Sequence, residues 1–169
     1  MKLANKVAII TGASSDIGTD ISKRFVEEGA TVIMLGRNLK SLDRSRSLIK
    51  NNNSAITMSC DINNQSQVQS VMEQIVEKYG RIDILVNNAA KINDAIHFHE
   101  MKESDIADLV NTNIVGTFNI TKAAISKMIE NKNGSIINIG SISSERAIPR
   151  VHLAVYSATK AAISMFTKS

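Results

Sequence analysis

Val7-Ala8-Ile9-Ile10-Thr11-Gly12-Ala13-Ser14-Ser15-Asp16-Ile17-Gly18 decides the architecture of this chain. Its first four residues are a short, unbroken apolar run, the pattern of a parallel strand covered on both faces. A turn carrying Gly12 follows. Beyond it Ile17, Ile21 and Phe25 recur every four residues, which predicts a helix whose core stripe they form, stopped by Gly29. A glycine-bearing turn from a strand into a helix N-terminus aims free amide groups and the positive end of the helix at an anion, most often a phosphate.

The same rhythm continues outward. Thr31–Leu35, Ala55–Met58, Ile82–Val86 and Ser135–Ile139 are further apolar runs. Between two of them Val68, Val71, Met72, Ile75, Val76 and Tyr79 form a helical stripe ended by Gly80. Strands alternating with helices specify an α/β doubly wound parallel sheet with right-handed crossovers. Ligands of such sheets bind outside the carboxyl ends of the strands.

Composition narrows the possibilities. The chain has 169 residues, enough for one domain with a substantial core. Hydrophobic residues are 43% and charged residues 21%, ordinary values for a globular protein. No apolar run reaches the length of a membrane span, and the strand-like Val7–Ile10 follows the N-terminus too closely to leave room for a signal peptide. The single cysteine, Cys60, has no intrachain partner, which fits a reducing compartment, so a cytoplasmic protein without membrane association is expected. Net charge is +4, with a basic cluster at Arg37, Lys40, Arg44, Arg46 and Lys50. That cluster lacks interleaved aromatics and any nucleic-acid module, so no nucleic-acid partner is expected.

Tyr156 and Lys160 stand four apart, on one face if their segment is helical. A cation beside a phenol favours phenolate, and such a tyrosine can pass a proton to or from a substrate oxygen. With these residues in place, the whole chain resembles the short-chain dehydrogenase/reductase family, whose phosphate loop reads Thr-Gly-x-x-x-Gly-x-Gly. Gly12, Ser14, Ser15, Asp16, Ile17 and Gly18 lie along that loop. Asp61 matches the aspartate that meets the adenine, with Ile62 beside it. Asn87-Asn88-Ala89-Ala90 is similar to the family's Asn-Asn-Ala-Gly. Asn113, Ser141, Tyr156 and Lys160 match its catalytic tetrad. Ser143 and Ser144 compete for the serine role, because Ser141 lies two residues farther from the tyrosine than is commonest; Ser141 is preferred because it directly follows the fifth strand.

The resemblance implies a Rossmann-type sheet of strand order 3-2-1-4-5, a single domain over residues 1–169 that is C-terminally incomplete and lacks the family's last two strands. It implies an oxidoreductase interconverting a small-molecule carbonyl and a secondary alcohol. Tyr156 would move the proton, Ser141 would hold the carbonyl oxygen, Lys160 would favour ionised tyrosine and hold the nicotinamide ribose, and Asn113 would anchor a water leading from Lys160 to solvent. Asn88, Ala89, Tyr156 and Lys160 would also touch the cofactor. Gly36 follows the second strand where a carboxylate would select NAD, and Arg37 can meet an extra phosphate with its planar fork, so NADP is expected over NAD. A homodimer or homotetramer is expected by the same resemblance, through helices near Asn113–Glu130 and Tyr156–Lys168.

Asp16 replaces the second glycine of the loop, where its carboxylate can repel a pyrophosphate or, at a helix N-terminus, take the anion position itself. Ala90 for glycine is a milder departure. The shortened chain leaves the fifth strand as an open edge. Asp16 and the shortening favour an alternative, a catalytically impaired scaffold or interaction module that binds cofactor weakly; the intact tetrad opposes it. His97 and His99 have no third metal ligand near them in sequence, so no metal is expected and a solvent-facing or substrate-side loop is the reading. His152 is placed at the substrate mouth without a proton-transfer role.

Overall fold

In a computed structural model, which describes residues 1–146 and 152–169, strands β1 (Val7–Thr11), β2 (Thr31–Gly36), β3 (Ala55–Ser59), β4 (Ile84–Asn87) and β5 (Ser135–Asn138) form one sheet of order β3-β2-β1-β4-β5. Every pairing is parallel. Helices α1 (Asp16–Glu27), α2 (Leu39–Ser47), α3 (Gln65–Tyr79), α4 (Glu103–Val110), α5 (Thr117–Glu130) and α6 (Ala154–Lys168) supply the crossovers and cover the sheet.

Alternation along the strands sorts the core into two layers. Ile9, Ile33, Leu35 and Leu85 pack with Val68, Val71, Met72 and Ile75 of α3 and with Ile120, Ala124 and Met128 of α5. Ala8, Ile10, Val32, Met34 and Val86 face the other way, onto Val26 of α1 and Leu42 of α2. In register, Ile9 sits beside Ile33 on one side and Leu85 on the other, so the central strands share their faces.

Three local expectations are corrected. The buried face of α1 is Gly18, Ser22 and Val26, one position round from the Ile17–Ile21–Phe25 stripe. Ile17 is exposed, while Ile21 and Phe25 are only partly buried. Small residues win this face because the helix lies close to the turn after β1: a Cβ on Gly18 would stand 2.4 Å from the Gly12 carbonyl oxygen. Second, β4 begins at Ile84, because the buried Asp83 accepts hydrogen bonds from the Val7 amide (2.9 Å), Arg81 Nε (2.8 Å) and Asn133 Nδ2 (2.8 Å). This carboxylate ties the amino end of the sheet together. Burial raises its pKa, but the Arg81 guanidinium and the Val7 amide outweigh that and hold it below the ordinary value. Third, β5 lacks the cover on both faces that its apolar run suggests, while the open edge expected there is present: it ends the sheet among the described residues, and Ser135 and Ile137 are exposed.

α4 and α5 form one continuous rod. The π-helical stretch Asn111–Gly116 joins them, with right-handed helical dihedrals at both junctions. Such widened turns interrupt regular bonding and are frequent at functional sites.

Candidate active site

A cleft of about 200 Å³ opens at the carboxyl ends of β1, β2, β3 and β4. Of the residues singled out from the sequence, Gly12, Ser14, Ser15, Arg37, Asp61, Ile62, Asn88 and Ala89 line it. Asp16, Ile17 and Gly18 do not, and neither do Asn113, Ser141, Tyr156 and Lys160. Cys60, Asn63, Lys91 and Thr112 line it as well and were not singled out. They come from separate loops, and only the closed sheet brings them together.

The loop after β1 folds back on itself: the Ala13 amide donates to the Leu35 carbonyl (3.1 Å) and the Ser15 amide to the Gly12 carbonyl (3.1 Å), while the Ser14 amide has no partner among the described residues. Gly12 has φ +62°, a left-handed conformation that glycine tolerates, and a Cβ there would stand 2.8 Å from Ala89 Cα. Ser15 caps α1: its Oγ accepts from the Gly18 amide (3.1 Å) and donates to the Gly12 carbonyl (2.9 Å). Asn88 Nδ2 donates to the carbonyls of Thr11 (3.0 Å) and Gly12 (3.0 Å) and to Ser15 Oγ (3.2 Å), so this side chain holds the loop in shape. Thr11 Oγ1 in turn accepts from the amides of Asn88 and Ala89, each at 3.0 Å. Asp16 is exposed, and its side chain makes no hydrogen bond among the described residues. The helix cap belongs to Ser15, so the carboxylate does not take the anion position.

These features fit a dinucleotide. Gly12 and Gly18 sit where side chains would collide with backbone, the α1 N-terminus faces the cleft wall, and Arg37 is an exposed guanidinium with no anionic partner within salt-bridge distance among the described residues. No carboxylate follows Gly36. Cys60 in the cleft wall is buried, and desolvation together with Asp61 pushes its thiol up to about 11, so it remains a neutral thiol at physiological pH.

The second half of the site lies at the end of β5 and the start of α6. Lys160 is 5% exposed, and its Nζ donates to the Ile139 carbonyl (2.6 Å) and lies 5.9 Å from the centre of the Tyr156 ring. Burial depresses the pKa of this ammonium. Asn113, in the π-helical stretch, is buried; its Oδ1 accepts from the Lys91 amide (2.7 Å), and its Nδ2 donates to the Lys91 carbonyl (2.9 Å) and to Thr159 Oγ1 (3.0 Å). Asn113 thus ties the segment after β4 to α6, one residue before Lys160. With both amide hydrogens engaged, its side chain has no donor left for a water. Ser141 Oγ and Ser143 Oγ are 2.8 Å apart, and Ser144 Oγ donates to the Ser141 carbonyl (2.6 Å). Ser143 is buried and Ser141 only partly so, which makes Ser141 the more accessible hydroxyl of the pair.

All three histidines of the chain come together. The His97 ring is 4.1 Å from that of His152 and 5.7 Å from that of His99. Sequence spacing does not reveal this, because His152 arrives on the segment leading into α6. Among the described residues no group of histidine, cysteine or carboxylate side chains is arranged to hold a metal ion.

Comparison with known proteins agrees with this arrangement. The family model described as short chain dehydrogenase matches residues 6–169. A 3-oxoacyl-[acyl-carrier-protein] reductase of Thermotoga maritima is 37% identical over 172 residues, covering all of this chain and 68% of the relative. Among solved structures, an NAD+-bound xylitol dehydrogenase superposes with a TM-score of 0.94 at 28% identity, over 99% of this chain and 64% of that one. An actinorhodin polyketide ketoreductase with NADPH superposes with a TM-score of 0.89 at 32% identity, over 96% of this chain and 62% of that one. The sequence therefore spans about two thirds of the length of proteins it matches nearly end to end. With a parallel sheet of order β3-β2-β1-β4-β5 and a family match over residues 6–169, the chain belongs to the short-chain dehydrogenase family.

Proposed function

We propose that this chain carries the cofactor site and the catalytic tetrad of an NADP-dependent oxidoreductase that interconverts a carbonyl and a secondary alcohol. The observation that supports it most is Lys160, an ammonium buried against the Ile139 carbonyl and beside the Tyr156 ring. Burying a cation with one protein hydrogen bond is costly, and packing alone gives no reason to keep one there. Arg37 in place of a carboxylate supports NADP over NAD.

The amides of the loop after β1 and the N-terminus of α1 would hold the pyrophosphate, Arg37 the extra phosphate, and Asp61 with Ile62 the adenine. A bound nicotinamide supplies the hydride chemistry, which no side chain of the protein can. Tyr156 donates a proton to the carbonyl oxygen in the reductive direction and withdraws it in the oxidative one. Lys160 sets a cation beside the tyrosine ring. Ser141 donates to the substrate oxygen and holds it at the tyrosine, supported by Ser143 behind it. Asn113 holds α6 against the segment after β4, one residue before Lys160. The alternative of an impaired scaffold keeps the shortening and the repulsion that the Asp16 carboxylate, in the first turn of α1, can exert on a pyrophosphate; the intact tetrad opposes it.

In a form that turns over substrate, Tyr156→Phe abolishes reduction of a panel of ketones, aldehydes and acyl thioesters while NADPH affinity stays within about two-fold, because the ring keeps its packing and loses only the transferable proton. Turnover near that of the wild type would assign the acid to another group.

A further inference from the structure

Lys91 is the cleft residue with the least ordinary setting. Its main chain is clamped on both sides by Asn113, through the amide (2.7 Å) and the carbonyl (2.9 Å). Its side chain reaches from the same cleft as Arg37 to Asp108 on α4, with Nζ 2.7 Å from Oδ2. The pair is open to water, the lysine side chain at 33% and the aspartate at 65% exposure. An ion pair so exposed holds weakly and exchanges readily, and a phosphate with nearly two negative charges outcompetes a carboxylate for the ammonium.

We propose that Lys91 is a second specificity-determining cation for the 2′-phosphate of NADP, and that Asp108 is the stand-in anion that holds it until the cofactor arrives. The proposal rests on the NADP reading above. Arg37 and Lys91 are the cations of the cleft wall; Asp61, Ile62 and Asn63, after β3, line it where the adenosine half belongs, and Thr112 of the π-helical stretch lines it too. The pyrophosphate is served separately, by the amides of the loop after β1. The Lys91 hydrogen bond and charge, with a smaller contribution from the Arg37 charge, hold the Asp108 carboxyl below its ordinary value. A phosphate between them would take over that position. The clamp on the Lys91 backbone sets the root of the side chain and leaves its end free to swing from Asp108 to the ligand.

Calorimetric titration of the wild type, Lys91→Met, Lys91→Arg and Asp108→Asn with NADPH and with NADH tests this. Lys91→Met weakens NADPH about ten-fold or more, the loss expected for one hydrogen bond to a charged group, while NADH changes by less than about two-fold. Lys91→Arg retains the preference. Asp108→Asn, which frees Lys91 and removes a repelling charge, tightens NADPH by about three-fold with little effect on NADH. A wild type that prefers NADPH together with a Lys91→Met variant that keeps the full preference, or that loses both cofactors equally, overturns the proposal alone. A wild type that binds neither cofactor, or favours NADH, overturns the NADP reading and the proposal with it.

Discussion

Lys160 illustrates how function sets a residue against stability. Its ammonium is almost fully withdrawn from water, with the Ile139 carbonyl as its protein acceptor, and burial lowers its pKa from the ordinary 10.5. Between the folded value and the higher unfolded one, the unfolded chain binds more protons, so the stability lost to burying this charge is regained as pH rises through that window. Lys160→Met is therefore expected to be as stable as the parent at neutral pH or slightly more so, to lack this part of the rise in stability toward alkaline pH, and to be inactive. Urea unfolding of both proteins from pH 7 upward checks it; a variant much less stable at pH 7 would show that the charge is a net structural asset. The tetrad positions and the loop glycines could be read from short motifs, because their chemistry demands particular residue types at particular spacings. Lys91 could not. No motif contains it, and its significance depends on Asn113, Asp108 and Arg37, which are distant in sequence and meet only in the fold.

Among the elements, the rod formed by α4, the π-helical stretch and α5 runs closest to the cofactor cleft. Gly116 marks the contact: a Cβ there would stand 2.7 Å from Ile62 Cγ1 and 2.8 Å from Asn63 Oδ1, both cleft residues. Ile62 branches close to its own backbone and cannot simply swing away. Gly116→Ala is expected to cost about 1–3 kcal/mol of stability, seen as a fall of about 2–12 °C in melting temperature, and to weaken NADPH binding by displacing Ile62. Thermal unfolding with and without NADPH measures both; an unchanged melting temperature and affinity would mean that the rod yields easily at this point. The π-helical turn left no trace in hydropathy, whose stripes report which face is buried and not how the backbone bonds. For the same reason the α1 stripe misled by one position: glycine and serine carry little hydropathic signal, yet their small size lets the helix approach the turn after β1 and makes them the buried face. In α3 no such close approach competes, and the apolar stripe Val68, Val71, Met72 and Ile75 is the buried one.

For the whole molecule, the apolar runs specify a parallel doubly wound sheet, while the order of its strands and the open edge at the fifth came from the family resemblance and the shortened chain. Among the described residues, β5 closes the sheet with one neighbour, and a line of apolar side chains on α5 and α6 faces solvent. Ile129 is 70% and Met165 64% exposed, and Phe118 packs on Phe166 at 4.6 Å while remaining 40% exposed. A surface of this kind favours association. At about 50 μM, within the range where weak interfaces are populated, the chain is expected to scatter light as a dimer or larger species, and Phe118→Glu to shift it toward monomer. A monodisperse monomer in both proteins would show that α5 and α6 form no interface in this chain. No helix among the described residues is long and apolar enough to cross a membrane.

Paired titration of the wild type and Arg37→Asp with NADPH and NADH tests the central claim, that this cleft holds a phosphorylated nicotinamide cofactor, most directly. The account predicts that the wild type binds NADPH at least about ten-fold more tightly than NADH, and that Arg37→Asp abolishes or inverts the preference by setting a negative charge beside the phosphate. Binding of neither cofactor by the wild type, or equal losses for both in the variant, would contradict it.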